Sequence, residues 1–181
     1  MTNNKICVIF EPSPSKKGEL EMEQKALSRW LKWILIGMAL CGVMVYGVAF
    51  PTLGRMIADY EEGMYDHCYW PWLIFLWCSG IPCYAILAVC WKIASNIGKE
   101  QAFSMDNARL FRYISRLAAG DSVFFFIGNV VYWLIGYSHP GIVLESLFPI
   151  FAGVAISVGT GGLSQLVQKA AVLQEQSDLT I

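Results

Sequence analysis

The side chains in this sequence that could bind a metal ion or carry out catalysis are few. Most fall in two short segments between apolar runs. They combine imidazole, thiol and carboxyl groups, which suit Zn²⁺ or Cu²⁺: Glu62, Asp66, His67, Cys68, His139 and Glu145. Their spacing matches no zinc-ligand pattern, so they are either a metal site or a set of solvated loop residues. We favour the second interpretation and predict no metal and no other cofactor.

The catalytic motifs that a sequence can display are absent. There is no His-Glu-x-x-His, Gly-x-Ser-x-Gly or Gly-Lys-Ser/Thr pattern. The run 159–162, Gly-Thr-Gly-Gly, lacks the lysine and the preceding strand of a phosphate-binding loop. The six cysteines include no Cys-x-x-Cys pair and are interpreted as small apolar packing residues. The sequence therefore predicts that the protein is not an enzyme.

Two polar residues stand inside an apolar run, where such residues often mark functional sites. Asp121 lies near the start of the run, about one turn beyond Arg116, and could pair with Arg116 or with Lys92. Asn129 lies near the middle of the run and could form a hydrogen bond to another helix. Structural pairing is the simpler interpretation of both residues, and a polar path through the membrane is the functional one.

These two residues belong to one of four long apolar runs. Each has about 20 residues, the length that a helix needs to cross the hydrocarbon of a bilayer: 30–50, 70–91, 117–137 and 142–163. The chain is 56% hydrophobic and 15% charged, with a mean hydropathy of +0.48. The sequence predicts an all-α membrane protein, a bundle of four transmembrane helices at 27–181 that follows a polar tail at 1–26.

The basic residues are distributed asymmetrically around these runs. Of the 13 Lys and Arg residues, Arg55 alone lies in the first or third connection. The others lie in the N-terminal segment, the central connection and the C-terminal end. Because cytoplasmic segments retain Lys and Arg, both termini and the central connection are predicted to lie on the cytoplasmic side of the cytoplasmic (inner) membrane. No segment has the basic character expected for direct nucleic-acid binding.

The central connection has the pattern of an amphipathic helix that continues into the third run. Ser104 is the predicted N-cap and Asp106 lies in the first turn. Three arginines, Arg109, Arg112 and Arg116, fall on one side of this helix. They could bind anionic lipid headgroups or a cytoplasmic regulatory protein, and both interpretations are open.

Helix ends and helix contacts can also be predicted. Pro51 is expected to end the first helix. In the fourth run Gly153, Ser157 and Gly161 form a stripe of small residues at intervals of four, which would let another helix approach closely. Beyond the fourth run an amphipathic extension is predicted, with one apolar side: Leu166, Val167, Ala170 and Leu173.

Short motifs in the chain resemble the YoaS-like bacterial membrane proteins, which contain domain of unknown function 2975. The first motif is Phe103-Ser104, followed by Asn107-Ala108 and Leu110, just before the third run. The second is the ending that contains Glu175 and the residues 178–181, Asp-Leu-Thr-Ile. The resemblance covers about 27–181 and implies four spans, no assigned activity and no catalytic residues. Family members often lie beside genes for small helix-turn-helix regulators, which implies a regulatory partnership.

Two functional hypotheses follow. The first is a non-enzymatic membrane protein that senses a signal and passes it to a cytoplasmic partner through the arginine face and the C-terminal extension. The second is a small transporter or channel subunit, in which Asp121 and Asn129 line a polar path. Because four spans are few for a pore, the second hypothesis requires a homo-oligomer formed through the small-residue stripe.

Overall fold

The computed structural model describes residues 14–60, 68–99, 101–138 and 140–178. This part of the chain is helical and contains no strand, and four of its helical segments are long and apolar enough to cross a membrane. The predicted all-α membrane fold is therefore confirmed. The helices are α1 (Pro14–Met44), α2 (Phe50–Tyr60), α3 (Tyr69–Ile97), α4 (Met105–Leu134) and α5 (Pro140–Asp178), and a π-helical turn, Val45–Ala49, joins α1 to α2.

The prediction that Pro51 ends the first helix is wrong, because the helix continues through it to Tyr60. Upstream of the proline, the amide of Phe50 donates to the carbonyl of Val45, five residues back, as in a π-helix. In that register the missing N–H of Pro51 would have bonded to the carbonyl of Tyr46. The indole Nε1 of Trp77 on α3 donates to that carbonyl instead, at 3.0 Å. A neighbouring helix thus replaces the donor that proline lacks.

Helix α4 begins as predicted. The Ser104 hydroxyl accepts a hydrogen bond from the Asn107 amide at 3.2 Å, which confirms Ser104 as the N-cap, and Asp106 lies in the first turn. The helix is continuous from the arginine face into the third apolar run, which is also confirmed. Because the predicted extension and the predicted span form one helix, a displacement at one end can reach the other end without an intervening loop.

A buried asparagine, Asn107, holds the connection between α3 and α4. Its side chain is fully buried; it accepts from Asn96 Nδ2 at 2.7 Å and donates to the carbonyls of Gln101 and Ala102 at 2.9 and 3.0 Å. On the same side of the bundle, the Ser28 hydroxyl of α1 donates to the Ala94 carbonyl of α3 at 2.6 Å. Since buried polar groups are costly unless they are paired, these bonds fix α1, α3 and α4 relative to one another on this side of the bundle.

Helices α4 and α5 approach each other through serines. Ser115 and Ser157 exchange hydrogen bonds, each hydroxyl donating to the other residue's carbonyl at 2.8 Å. Further along, the Ser164 hydroxyl donates to the Ala108 carbonyl at 2.7 Å. Small side chains that reach a facing backbone permit close helix approach in a membrane, where lipid competes equally well for larger apolar side chains.

The C-terminal extension packs differently from the prediction. Within the predicted apolar side, Val167 is buried, but Leu166 and Leu173 are 64% and 66% exposed. Ala171, which the prediction omitted, is buried. The buried side continues the line of small residues that faces α4, because close backbone approach selects small side chains rather than large ones.

The helices pack in chain order, so that α1 contacts α3, α3 contacts α4, and α4 contacts α5. The α4–α5 contact is by far the most extensive. This arrangement leaves α1 and α5 on the two outer sides of the α3–α4 pair. A groove between α1 and α5, with α3 and α4 as its floor, follows from this order.

We expect Asn107→Ala to lower the free energy of unfolding by about 2 kcal/mol, because it leaves the Asn96 amide and two buried carbonyls without their partner. Unfolding in mixed detergent micelles, followed by circular dichroism, measures this change. Gln165→Ala, at an exposed polar position, is the control and should be close to neutral. Equal stability of the two variants would show that the Asn107 network does not hold the connection.

Candidate functional site

The groove between α1 and α5 contains a cavity of about 450 Å³. All four spans contribute to its lining, which includes Gly42, Tyr46 and Phe50; Ser79, Cys83 and Tyr84; Asp121, Ser122 and Phe125; and Ala152, Gly153 and Ile156. Two residues at its edges, Met38 on the α1 side and Ile156 on the α5 side, are 55% and 51% exposed. The cavity therefore opens sideways, toward the space that lipid occupies.

Two glycines make room for the tyrosines on the α1–α3 side of the cavity. A Cβ atom on Gly80 would lie 3.2 Å from the ring of Tyr46, and one on Gly42 would lie 2.8 Å from the hydroxyl of Tyr84. The Tyr84 hydroxyl donates to the Ala39 carbonyl at 3.3 Å. Because glycine has no side chain, Tyr46 of the first span packs against Gly80 of α3, and Tyr84 of α3 packs against Gly42 of α1. These contacts bring Tyr46, which lies in the π-helical turn, into the lining of the cavity.

A chain of weak hydrogen bonds connects three helices across the cavity floor. The Tyr46 hydroxyl lies 3.9 Å from Cys83 Sγ, and the Cys83 thiol lies 3.8 Å from Asp121 Oδ2. The other carboxyl oxygen, Asp121 Oδ1, is buried and has no hydrogen-bond partner. A buried acceptor without a donor carries a free-energy cost of about 1–3 kcal/mol. The floor of the cavity therefore presents a carboxyl group with an unmet capacity to accept hydrogen bonds.

The predicted pairing of Asp121 with Arg116 or Lys92 is wrong. Arg116 is five residues away on the same helix, which places it about 140° around the helix axis from Asp121. Both Arg116 and Lys92 are exposed, and the contact that Asp121 makes is with Cys83. Cys83 lies near the middle of α3, and Ser122, the neighbour of Asp121, lies against Gly153. Asp121 thus lies near the middle of the bundle rather than at one of its ends.

The interhelical hydrogen bond predicted for Asn129 is also not formed. Its side-chain amide donates to the Phe125 carbonyl of its own helix at 2.8 Å. Asn129 is buried but does not line the cavity that contains Asp121. A backbone carbonyl of the same helix satisfies the side-chain amide as well as a group on a neighbouring helix would. The carbonyl four residues earlier lies within reach of the Asn129 side chain, so this partner is available. The two polar residues of the third span therefore do not form one path.

The three arginines lie on the exposed side of the N-terminal part of α4. Arg109 forms an ion pair with Asp106 at 3.9 Å, in which both side chains are 78% exposed. Arg112 donates to Gln168 Oε1 of α5 at 2.9 Å. Arg116 is exposed. Exposed ion pairs of this kind add little stability, so these charges remain available to lipid headgroups or to a protein.

The small-residue stripe of α5 faces α4 within the same chain. A Cβ atom on Gly153 would overlap the Ser122 hydroxyl, and one on Gly161 would lie 3.2 Å from the Ser115 hydroxyl. Ser157 exchanges its hydrogen bonds with Ser115. The stripe is covered by α4, so a second copy of the chain has no access to it.

The metal-ligand candidates fall largely outside the described residues, since Glu62, Asp66, His67 and His139 lie there. Of the other two, Cys68 is buried and Glu145 is exposed. Within the described ranges, no three His, Cys, Asp or Glu side chains are close enough to share a metal ion.

Two residues of the site were not identified from the sequence. In the sequence, Tyr46 is one of several aromatic residues in an apolar run, and Cys83 is interpreted as a packing residue. The available signal was the pairing of small and aromatic residues, with Gly42 and Gly80 in one pair of spans and two tyrosines in the same pair. This pairing predicts which helices approach each other closely. It does not predict which side chains lie near the carboxyl group of Asp121.

The four spans and the intramembrane site define a multi-pass membrane protein. Residues 57–181 match the family model described as "Protein of unknown function (DUF2975)", and the chain belongs to this family. It is 29% identical over 154 residues to a protein of Bacillus subtilis (strain 168) described as "Uncharacterized membrane protein YoaS". That match covers 82% of this chain and 96% of the relative. These matches confirm the resemblance seen in the sequence. No solved structure matches the chain.

We expect Asp121→Leu to raise the free energy of unfolding by about 1–2 kcal/mol, because it removes a polar group without a full set of partners from an apolar site. Only the weak thiol hydrogen bond of Cys83 is lost. Thermal unfolding in detergent, followed by circular dichroism, measures this change.

The matched control is Ser122→Leu, one position along the same helix. It adds similar bulk where Ser122 already touches Gly153, so it should destabilise the protein. If Asp121→Leu proved as destabilising as Ser122→Leu, Asp121 would be part of the packing and not a site residue.

Proposed function

We propose that this protein is a non-enzymatic membrane receptor, which takes up an amphiphilic ligand from the bilayer and reports its presence to a cytoplasmic partner. The observation that carries this proposal is the cavity, which is open toward lipid and contains a buried carboxyl oxygen without a partner. Ligand pockets have this character, with mostly apolar walls and a small number of polar groups that orient the ligand. Polar groups kept at a cost in stability are typical of functional sites.

The inner end of the bundle supports a receptor rather than a conduit. The residues that line the cavity on α4 extend from Ala118 to Phe125. Toward the cytoplasm, α4 contributes Ala108 and Ile114 to the core, and both are 3% exposed or less. The Ser164 hydroxyl bonds to the Ala108 carbonyl itself, and the hydrogen bonds of Asn107 lie next to it. A transporter or channel subunit, which is the alternative function, would require this packed region to open.

Helix α4 offers a direct route from the cavity to the cytoplasm. Asp121 and Arg112 lie nine residues apart on this one helix, about 14 Å along its axis. Arg112 is also bonded to Gln168 on α5. A ligand that bonds to Asp121 and shifts α4 would therefore change how Arg112 and its neighbours are presented. The arginine face and the cytoplasmic end of α5 are the proposed contact surface for the partner.

The proposed orientation places both termini and the α3–α4 connection in the cytoplasm of the inner membrane. Green fluorescent protein fused after Ile181 should fluoresce, because it folds in the cytoplasm. Alkaline phosphatase fused after Tyr60 should be active, because it needs the oxidising outer compartment. The reverse pair of results would invert the orientation and place the arginine face outside the cell.

The signalling proposal is tested by crosslinking in native membranes, followed by affinity capture and mass spectrometry. A cytoplasmic protein captured by the parent should be lost from the triple variant Arg109→Ala/Arg112→Ala/Arg116→Ala, because the variant lacks the proposed contact charges. Ala152→Trp, which places a large side chain in the cavity, should change the captured amount by at least about threefold, the change expected from a coupling of roughly 0.7 kcal/mol.

Ala155→Trp is the matched control for the cavity variant. Ala155 is an exposed alanine one turn away on α5 and does not line the cavity, so its replacement should leave capture unchanged. Capture that is insensitive to Ala152→Trp would contradict a link between cavity and partner. Capture that survives the triple variant would contradict the proposed contact surface.

A further inference from the structure

The charge distribution around the cavity is one-sided. Asp121 is the only Asp, Glu, Lys or Arg among the cavity-lining residues. The nearest basic positions along the same helix, Arg112 and Arg116, are exposed and belong to the cytoplasmic part of α4. An isolated carboxylate in apolar surroundings is costly, and a cation that enters the cavity lowers that cost by forming an ion pair. The cavity is therefore complementary to a positively charged group.

The aromatic residues of the lining point to the same kind of group. Tyr46 lies 5.3 Å from Phe50 and 6.5 Å from Tyr84 between ring centroids, and Phe125 completes the set on α4. All four rings belong to the lining of the cavity, and Tyr46 is linked to Asp121 through Cys83. Aromatic rings attract ammonium ions through their negative faces, most strongly where water is excluded. A carboxylate together with several aromatic rings is an environment that favours an organic ammonium ion over a small hydrated metal ion.

The remaining lining favours an apolar body attached to that cation. Leu76, Ile86, Leu87 and Ile150 contribute aliphatic side chains, and the cavity opens toward lipid at Met38 and Ile156. Building on the receptor function proposed above, we infer that the ligand is a lipophilic amine, whose ammonium group pairs with Asp121 while its hydrocarbon part lies in the groove.

The test measures equilibrium binding of radiolabelled dodecylamine, dodecanol and dodecanoate to the full chain in phosphatidylcholine nanodiscs. Binding to empty nanodiscs is subtracted. Dodecylamine should bind at least about tenfold more tightly than dodecanol, because a hydrogen bond between charged partners is stronger than one between neutral groups. Dodecanoate should bind more weakly than either. Asp121→Asn should bring dodecylamine within about threefold of dodecanol, and Ala152→Trp should abolish binding of both, whereas Ala155→Trp should change neither.

The outcomes separate the ligand class from the receptor function. Equal binding of amine and alcohol, both lost in Ala152→Trp, would overturn the amine inference while leaving the groove as a binding site. Amine selectivity that survives Asp121→Asn would overturn the role of the carboxylate. The absence of saturable binding of any probe would overturn the amine inference alone, since the response of partner capture to Ala152→Trp tests the receptor function independently. The comparison of the three probes uses only the parent protein, so it tests the inference even if a variant fails to fold.

Discussion

Hydrocarbon cannot donate or accept hydrogen bonds, and this constraint determines how the helices of the protein are arranged. Every polar group in the bundle must find a partner inside the protein or lie at a membrane surface. The serines of α4 and α5 meet this requirement by bonding to each other's backbones, with Ser115 and Ser157 at the centre. The tight α4–α5 pair that results is the framework on which α3, and then α1, are packed.

The same requirement explains why Asp121 stands apart. Near it, Ser122 donates to the Ala118 carbonyl and Asn129 to the Phe125 carbonyl, so each neighbour is satisfied within α4. Asp121 has one weak thiol contact and one oxygen without a partner. A membrane protein can keep such a group only where other interactions stabilise the fold sufficiently, and here the α4–α5 contact and the Asn107 network do so.

The chain-order packing gives the two sides of the bundle different properties. Close packing between α4 and α5 comes from small residues, whereas the α1–α3 contact uses tyrosine rings that insert beside glycines. A tyrosine ring can rotate out of the gap beside a glycine, whereas two helix backbones in direct contact can separate only if a whole helix moves. The α1 side is therefore the side at which the cavity can adjust its width, while the α4–α5 side holds its shape.

The sequence was sufficient for the features that depend on length, periodicity and charge. Four spans, the Ser104 cap and the continuous α4 helix could be predicted because each rests on residues close together in the chain. It was insufficient where a partner comes from another helix. The indole of Trp77 lets the helix pass Pro51, and Cys83 rather than Arg116 meets Asp121. Such partners depend on the rotation of one helix against another, which no local pattern encodes.

The depth of Asp121 in the bundle also differs from the prediction, for a related reason. Arg116 suggested an inner interface one turn away, because charged residues usually mark the end of a span. In the structure α4 continues past Arg116 to Met105 and is packed along that length, and its arginines are exposed while Asp121 contacts Cys83 of α3. The spacing of five residues fixes the separation of Arg116 and Asp121 along the helix. The two positions lie about 140° apart around the helix axis, so Arg116 is a surface residue and Asp121 is a site residue.

The π-helical turn Val45–Ala49 gives the first helix one residue more than its length across the membrane requires. Loss of any single residue from this turn would restore ordinary α-helical geometry and still leave a helix long enough to span the bilayer. Because the wide turn absorbs the surplus residue, the helix beyond it would keep its orientation, and only the residues of the turn, which include Tyr46, would be repositioned beside the cavity. A chain without this surplus residue would therefore keep its membrane span, and the cavity wall at Tyr46 is the part that would differ.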